Sequence, residues 1–458
     1  MKKFKIAFFV RDQDYLDDIE ELVQKTKDKI QNIEFFFISN SQLKSKHSNI
    51  NLNKYIKNIE INLTKEEYLS QLNNEIWKNK EVYTADPRYV SKPNSLSWKD
   101  QYKVHRASQE IFNEFNFDII FSGGAAYTFW TVPHLVALEK NLLAYKLMCY
   151  DYINPYFKGV RVWFSTDPFW DITVNNNFDF KWNKKDADKQ IQDFRKSLLE
   201  DNFNLADTAI KLREDFTPKK LKNILKNILK LILKFDRLSF LRLKSSYFSS
   251  RNKKYYTNID HLKKPFFLYP LNQPYDEQLL LRAPNFTDNI NTIKFLMKNL
   301  PNNIDLVIKE HPVNPGMISS RQIKYFINTY KNIKFISPES HLRDVLKISN
   351  GMITINSTSG LEALVLNKNI LVLGEGYYKS LNSTFTLDEF TNQKEVFESL
   401  FTEKKVDTVE VDKMLRKLLD QTYPSPGIYP DRLTESYSTL SDAIYYKIKN
   451  IIDLKGEL

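Results

Sequence analysis

Between Pro265 and Leu373 short apolar runs alternate with helix-forming stretches, and that alternation implies a parallel sheet with helices on both faces. The expected strands are Phe266 to Tyr269, Ile304 to Lys309, Asn332 to Ile336, Gly351 to Asn356 and Ile370 to Leu373. The expected helices are Asn289 to Leu300, Ser320 to Tyr330, Leu342 to Ile348 and Gly360 to Leu366. The start of the chain has a similar pattern. Ile6 to Val10 reads as a buried strand, Tyr15 to Lys29 as a helix and Ile33 to Ser39 as a second strand. Farther on, Phe117 to Ser122, the turn Gly123-Gly124 and Tyr127 to Lys140 read as strand, turn and helix, with Leu142 to Tyr150 as the next strand.

A chain of 458 residues exceeds the size at which one core keeps growing, so two domains are expected. The fold class that follows is α/β: two Rossmann-like domains whose parallel sheets face a central cleft. The expected division is a first α/β domain over 1–244, a linker over 245–264, a second Rossmann-like domain over 265–430, and a last segment, 431–458, whose helix packs back on the first domain. Within the first domain, Leu221, Ile224, Leu225, Ile228, Leu229 and Ile232 form one helical face, and Lys222, Lys226, Lys230 and Lys234 form another. This basic amphipathic helix, near 219–235, suits either packing on its own domain or docking on an anionic membrane surface.

Hydrophobic residues make up 42% of the chain, which excludes a disordered composition. The formal net charge of +11 points to anionic partners, yet no zinc-finger, RNA-binding or helix-turn-helix spacing accompanies it, so nucleic acid is not among them. Cys149 is the only cysteine, which rules out an internal disulfide and a thiolate metal cluster. The N-terminal apolar run is too short for a signal peptide, and no apolar stretch reaches the ~18 residues of a membrane span. The expectation is a cytoplasmic protein, peripheral on the inner face of the cell membrane.

Ligands of an open parallel sheet bind beyond the carboxyl ends of its strands. Lys309-Glu310-His311-Pro312 follows one strand of the second domain, and Asn356-Ser357-Thr358-Ser359-Gly360 follows another and opens a helix. Hydroxyls and amides at a helix start suit a phosphate, although Ser and Thr are also the preferred helix caps. His311 can donate to a phosphate or sugar hydroxyl from a turn fixed by Pro312. Glu362 can accept from ribose hydroxyls or stand as a solvated surface residue.

Together, Tyr269-Pro270-Leu271-Asn272-Gln273-Pro274, Lys309-Glu310-His311-Pro312, Ser357-Thr358-Ser359-Gly360-Leu361-Glu362-Ala363-Leu364 and Asn369 to Gly374 with Tyr377-Tyr378 resemble the capsule polysaccharide biosynthesis family. The resemblance covers roughly residues 265 to 380. Asn367-Lys368 departs from it, where such proteins commonly carry Gly-Lys. That family includes retaining β-Kdo transferases, GT-B-like enzymes that use CMP-Kdo. An HP motif and a Ser/Thr motif also serve CMP-sugar binding in several bacterial sialyltransferase families. The resemblance thus implies a GT-B-like fold, with 265–430 as the nucleotide-sugar-binding domain and 1–244 on the acceptor side, and supports His311 and Ser357, Thr358 and Ser359 as donor contacts; Lys309, Pro312, Gly360, Glu362 and Gln273 complete the expected donor site.

Displacement at an anomeric carbon needs a positioned carboxylate or an equivalent base, and Asp12, Asp14 and Asp151 follow expected strands of the first domain. Asp12-Gln13-Asp14 also reads as a D-x-D metal motif, but in a chain patterned as two Rossmann-like domains a metal is not expected. Arg161 and Lys309 are candidates for the cationic role instead. The expected activity is a glycosyltransferase without a cofactor, moving Kdo or sialic acid from a CMP donor to a glycan or lipid-linked acceptor. A UDP-sugar transferase, a nucleotide-sugar 2-epimerase and a non-catalytic polysaccharide export partner are the alternatives.

Overall fold

The structure, a computed structural model, describes residues 3–10, 13–28, 30, 32–40, 43–45, 47–123, 127–148, 161–166, 184–199, 228–229, 237–262, 265–273, 276–312, 314–387, 395, 398, 400, 405–420, 422–424 and 444–453. Contacts divide the chain into two units. One is Met1–Tyr89 with Pro93–Gln190 and Arg416–Leu458; the other is Val90–Lys92 with Ile191–Leu415. The division thus falls near 190 and 415, where the sequence reading places it at 244 and 430.

In the first unit, β1 (Phe4–Phe9), β2 (Ile33–Ser39), β3 (Ser48–Asn51), β4 (Ile119–Ser122), β5 (Leu143–Met148) and β6 (Arg161–Ser165) lie in the order β6-β5-β4-β1-β2-β3. The helices α1 (Gln13–Lys27), α2 (Trp98–Phe115) and α3 (Thr128–Glu139) belong to the same unit. β1 is central, with Ile6, Ala7, Phe8 and Phe9 all buried, as a parallel strand covered on both faces requires. It pairs in parallel with β2, Phe4 opposite Ile33, and with β4, Ile6 opposite Ile119. Phe8 stacks on Phe121 with ring centroids 4.9 Å apart.

The second unit carries β7 (Phe266–Pro270), β8 (Asp305–Lys309), β9 (Ile333–Ile336), β10 (Gly351–Thr354), β11 (Asn369–Val372) and β12 (Thr384–Thr386). All six are parallel, in the order β12-β11-β10-β7-β8-β9, which is the 3-2-1-4-5-6 order of a Rossmann sheet. Its helices include α4 (Arg237–Asn252), α5 (Glu277–Arg282), α6 (Asn289–Asn299), α7 (Ser320–Thr329), α8 (Leu342–Ile348) and α9 (Ser359–Val365). Phe267, Tyr269, Leu306, Ile308, Ile353 and Leu371 belong to one buried cluster under α6 and α7, which add Ile293, Leu296, Ile323 and Phe326.

Four features depart from the sequence reading. Ser245 to Lys264 is not a linker: its first half lies in α4, which is anchored in the second unit where Asn252 donates to Ile318 O at 2.8 Å. Short polar residues on a helix read like a linker, but here they satisfy buried carbonyls. β6 runs antiparallel to β5. A further strand, β13 (Thr422–Pro424), pairs antiparallel with β6 and so adds to the first sheet a segment the sequence reading gives to the second domain. β12, too short to stand out in the sequence, ends the second sheet. Of the basic stretch 219–235, only Ile228 and Leu229 are described, both helical; the rest lies outside the described residues.

The helical segment 444–453 returns to the first unit. Ile444, Ile448 and Ile451, at i, i+4 and i+7, are buried in the same cluster as Phe8, Phe35 and Phe121. Ile448→Ala is expected to lower stability by about 2–5 kcal/mol in urea unfolding followed by circular dichroism. A loss below ~1 kcal/mol would show that the segment is not part of this core.

Candidate functional site

The strand order of the second sheet reverses between β7 and β10, and in such sheets the ligand crevice lies beyond the carboxyl ends at that point. Two asparagines meet there. Asn272, just past β7, is buried and donates from Nδ2 to Asn356 Oδ1, just past β10, at 3.3 Å. The Oδ1 of Asn272 is buried with no hydrogen-bond partner in the protein. An orphan acceptor costs free energy unless a ligand donates to it. The sequence reading missed this pair, although Asn272 lies in the string it quotes.

The loop after β8 is held from below by Glu310. Its Oε2 accepts from Tyr256 Oη at 2.7 Å and from Gly316 N at 3.0 Å, and its Oε1 accepts from Ile318 N at 3.1 Å. Gly316, at φ +77°, has no room for a side chain: a Cβ would lie 2.5 Å from Ser249 N. Gln273 Oε1 accepts from Asn314 Nδ2 at 3.3 Å, tying this loop to the one after β7. His311 and Pro312 remain partly exposed on it. Burial, reinforced by the charge of Lys309, lowers the His311 pKa to about 4, so its imidazole is neutral at pH 7 and offers one N–H donor.

Lys309 and Glu362 are placed inside the fold. Both are buried, and Lys309 Nζ donates to Pro338 O at 2.9 Å. Burial lowers the Lys309 pKa to about 8, opposed by the carboxylates of Glu310 and Glu362. Glu362 is therefore not the solvated surface residue that was one reading of the sequence.

After β10 the hydroxyl turn is organised from within. Ser357 Oγ accepts from Ser359 N at 3.1 Å and shares a short hydrogen bond with Ser359 Oγ, while Thr358, the N-cap of α9, makes no side-chain capping bond. Capping therefore uses Ser357 and leaves the partly exposed Thr358 hydroxyl for another partner. Tyr378, fully buried, donates from Oη to Ser357 O at 2.5 Å. Burial holds its phenol above the ordinary range, so it stays a donor. Gly360 makes room for that ring: a Cβ there would lie 2.6 Å from Tyr378 Cζ. Gly360 is thus needed for the packing of the turn. Arg282, at the end of α5, acts electrostatically on Tyr378 and supplies a cation that sequence reasoning overlooked. No local motif marks it; only the fold brings it there.

In the first unit, Asp12 and Asp151 lie outside the described residues, and Asp14 lies in α1, its side chain not described. Arg161 opens β6, opposite Pro424. Among the described residues no group of three or more His, Cys, Asp or Glu side chains is arranged to hold a metal. The start of α3 is occupied from within: buried Asp86 accepts from Thr128 N at 2.9 Å and pairs with Arg88 at 2.8 Å. His134, fully buried, lies between Ser122 Oγ at 3.1 Å and Thr166 O at 3.0 Å, and burial with the charge of Lys146 lowers its pKa to about 3.

The parallel sheet in Rossmann order, with an orphan amide at its switch point, defines a doubly wound α/β unit whose ligand crevice lies at that edge. Residues 180–423 match the model of the capsule polysaccharide biosynthesis proteins, and the chain belongs to that family. It is 33% identical over 138 residues to the capsule polysaccharide modification protein LipB of Neisseria meningitidis (serogroup A, strain Z2491), covering 28% of this chain and 32% of that protein. It is 30% identical over 130 residues to Protein FixF of Sinorhizobium fredii, covering 28% and 30%. The matched region thus spans about a third of the length of these curated relatives. Among solved structures, KpsC of Thermosulfurimonas dismutans, a beta Kdo 2,7 transferase, is 11% identical with a TM-score of 0.38, over 97% of this chain and 99% of that one. The UDP complex of MnaA from S. aureus is 13% identical with a TM-score of 0.27, over 100% and 98%. No helix among the described residues is long and apolar enough to cross a membrane.

Tyr378→Phe removes the donor to Ser357 O and is expected to cost about 1–3 kcal/mol in chemical denaturation; an unchanged midpoint would show that the bond contributes nothing. His311 and His134 have folded pKa values below that of an unfolded histidine, so the unfolded chain binds more protons between pH ~4 and ~6.5. Their contribution to stability therefore rises as pH increases across that window and levels off above it. In melting curves across this range, His311→Gln should flatten part of the slope; an identical slope in wild type and variant would contradict the assignment.

Proposed function

We propose that the chain is a nucleotide-sugar-dependent glycosyltransferase of surface polysaccharide biosynthesis. In this reading it moves an acidic sugar of the Kdo or sialic acid class from CMP to a glycan or lipid-linked acceptor, without a metal. The observation that carries the reading is the buried, unpartnered Oδ1 of Asn272 at the β7/β10 switch point, with an uncapped threonine hydroxyl in the turn after β10 and a neutral histidine in the loop after the neighbouring β8. Family membership directs it toward capsule-type polymers.

In this scheme the turn from Ser357 to Ser359 receives the phosphate at the Thr358 hydroxyl, while Ser357 and Ser359, bonded to each other, and Gly360 and Tyr378 keep the turn in shape. His311 donates to a phosphate oxygen or a sugar hydroxyl, its turn fixed by Pro312 and tied down through Gln273. Asn272 Oδ1 accepts from an amine or hydroxyl of the nucleoside. Lys309 and Glu362 act from inside, as a buried charged pair beneath the loop. Arg282 offsets donor charge. Asp12, Asp14 and Asp151 remain the candidates for the carboxylate that acts at the anomeric carbon. The basic stretch 219–235 holds the enzyme at the inner face of the cell membrane, where lipid-linked acceptors reside.

Thermal stabilisation by CMP, UDP and GDP tests the reading, because a ligand at 100 times its Kd adds about 2.7 kcal/mol. The expected outcome is selective stabilisation by CMP, lost in His311→Ala. Stabilisation by UDP would favour the UDP-sugar alternative, turnover of a nucleotide-sugar without any acceptor would favour the epimerase, and no response to any nucleotide would overturn the donor site.

A further inference from the structure

Helix α4 has two faces of opposite character. Its inner face carries short polar side chains that bond to the loop after His311: Ser245 donates to Pro315 O, and Asn252, fully buried, donates to Ile318 O at 2.8 Å and accepts from Ser320 Oγ at 2.6 Å. Its outer face repeats with helical spacing. Phe240, Lys244, Tyr247 and Arg251 lie at i, i+4, i+7 and i+11, and Lys254 continues the row just beyond the helix. Phe240 and Tyr247 are 52% and 53% exposed, and the Arg251 guanidinium lies 4.5 Å from the centre of the Tyr247 ring.

We propose that this outer face of α4 docks on an anionic lipid surface, with the two rings entering the headgroup region and the cations meeting lipid phosphates. Charge complementarity selects this occupant. From Arg237 to Lys254 the chain carries six Lys and Arg residues and no acid. A face that alternates exposed rings with cations and carries no acid matches what an interfacial helix presents to a bilayer. A protein partner of mixed charge would leave several of these cations unpaired. The inner face fixes the consequence: the docked helix is hydrogen-bonded to the loop that begins at His311, so the membrane contact and the candidate donor site share one rigid body. The contact itself stands on α4 alone and does not depend on which nucleotide binds.

The test uses the full chain and sedimentation with phosphatidylcholine vesicles, with and without phosphatidylglycerol. The expected result is binding only to vesicles containing phosphatidylglycerol, weakened by salt. A cation near such a surface contributes about fivefold in affinity, so Lys244→Gln/Arg251→Gln/Lys254→Gln should lose on the order of 100-fold. Phe240→Ser/Tyr247→Ser should lose the part of the binding that survives high salt. Both variants alter only outward-facing side chains, so circular dichroism and nucleotide-induced stabilisation should match wild type, which separates this proposal from the donor reading. The proposal is overturned if both variants bind like wild type, which would place the contact in another segment such as 219–235. It is also overturned if neutral vesicles bind equally well, or if the protein retains an anionic polysaccharide but no vesicle.

Discussion

A parallel strand covered on both faces carries mostly apolar side chains along its length, and a polar one there must find a partner inside the protein. β7 is such a strand: Phe266, Phe267, Leu268 and Tyr269 are all buried, with β8 and β10 on either side. Its first polar side chain with a chemical role, Asn272, comes once the chain has left the sheet. The same constraint acts on β8, which is buried throughout and is followed by Glu310 and His311, and on β10, followed by Asn356 and Ser357. Groups able to meet a ligand gather at this edge because a polar group within a strand, such as Lys309 on Pro338 O, is bonded inside the fold. The crossover order then decides which ends are neighbours, and Asn272 and Asn356 touch because β7 and β10 do.

Rigid loops at that edge follow from a second constraint, the cost of leaving buried polar groups unpaired. Glu310 is almost fully buried, and its carboxylate is stable there only because Tyr256, Gly316 and Ile318 donate to it. Satisfying the carboxylate fixes the loop that begins at His311. Lys309 works in the same manner from the strand side, its ammonium held by Pro338 O and by the fields of two carboxylates. That charge, with burial, keeps His311 neutral. A neutral imidazole donates through one nitrogen and can accept through the other, a more discriminating partner than a cation.

The second sheet was legible in the sequence because parallel strands read as continuous apolar runs and their crossover helices as amphipathic ones. β12 was not, since Thr384, Phe385 and Thr386 make a run too short to carry a period. The first sheet was harder: β13 pairs with β6 across a long separation in sequence, and no local pattern announces such a partner. At the site, His311 and Ser357 to Ser359 were found because position after a strand is a local property. Tyr378, Arg282 and the orphan oxygen of Asn272 were not, because each acquires its meaning from a contact with a residue far along the chain. Lys309 and Glu362 mark the reverse case: the motif was visible, but only burial shows that these charges face inward.

The two units share a strand order, which raises the question of which one receives an anion. In the first unit the amide of Thr128, at the start of α3, is already taken by the carboxylate of Asp86, and Arg88 neutralises that carboxylate in turn. An incoming phosphate would have to displace a buried, paired acid from the donor it needs, at the cost of leaving Arg88 without its partner. In the second unit the turn from Asn356 to Thr358 itself contains no acid, the nearest along the chain being Glu362 inside α9. Hydroxyls take that place: Ser357 and Ser359 bond to each other, Thr358 caps nothing, and the nearby charge that reaches Tyr378 is the cation Arg282. One Rossmann-like unit thus carries its own anion where the other is built of neutral donors. This asymmetry argues, independently of any family resemblance, that an anionic ligand would meet less opposition at the second unit's turn than at the start of α3.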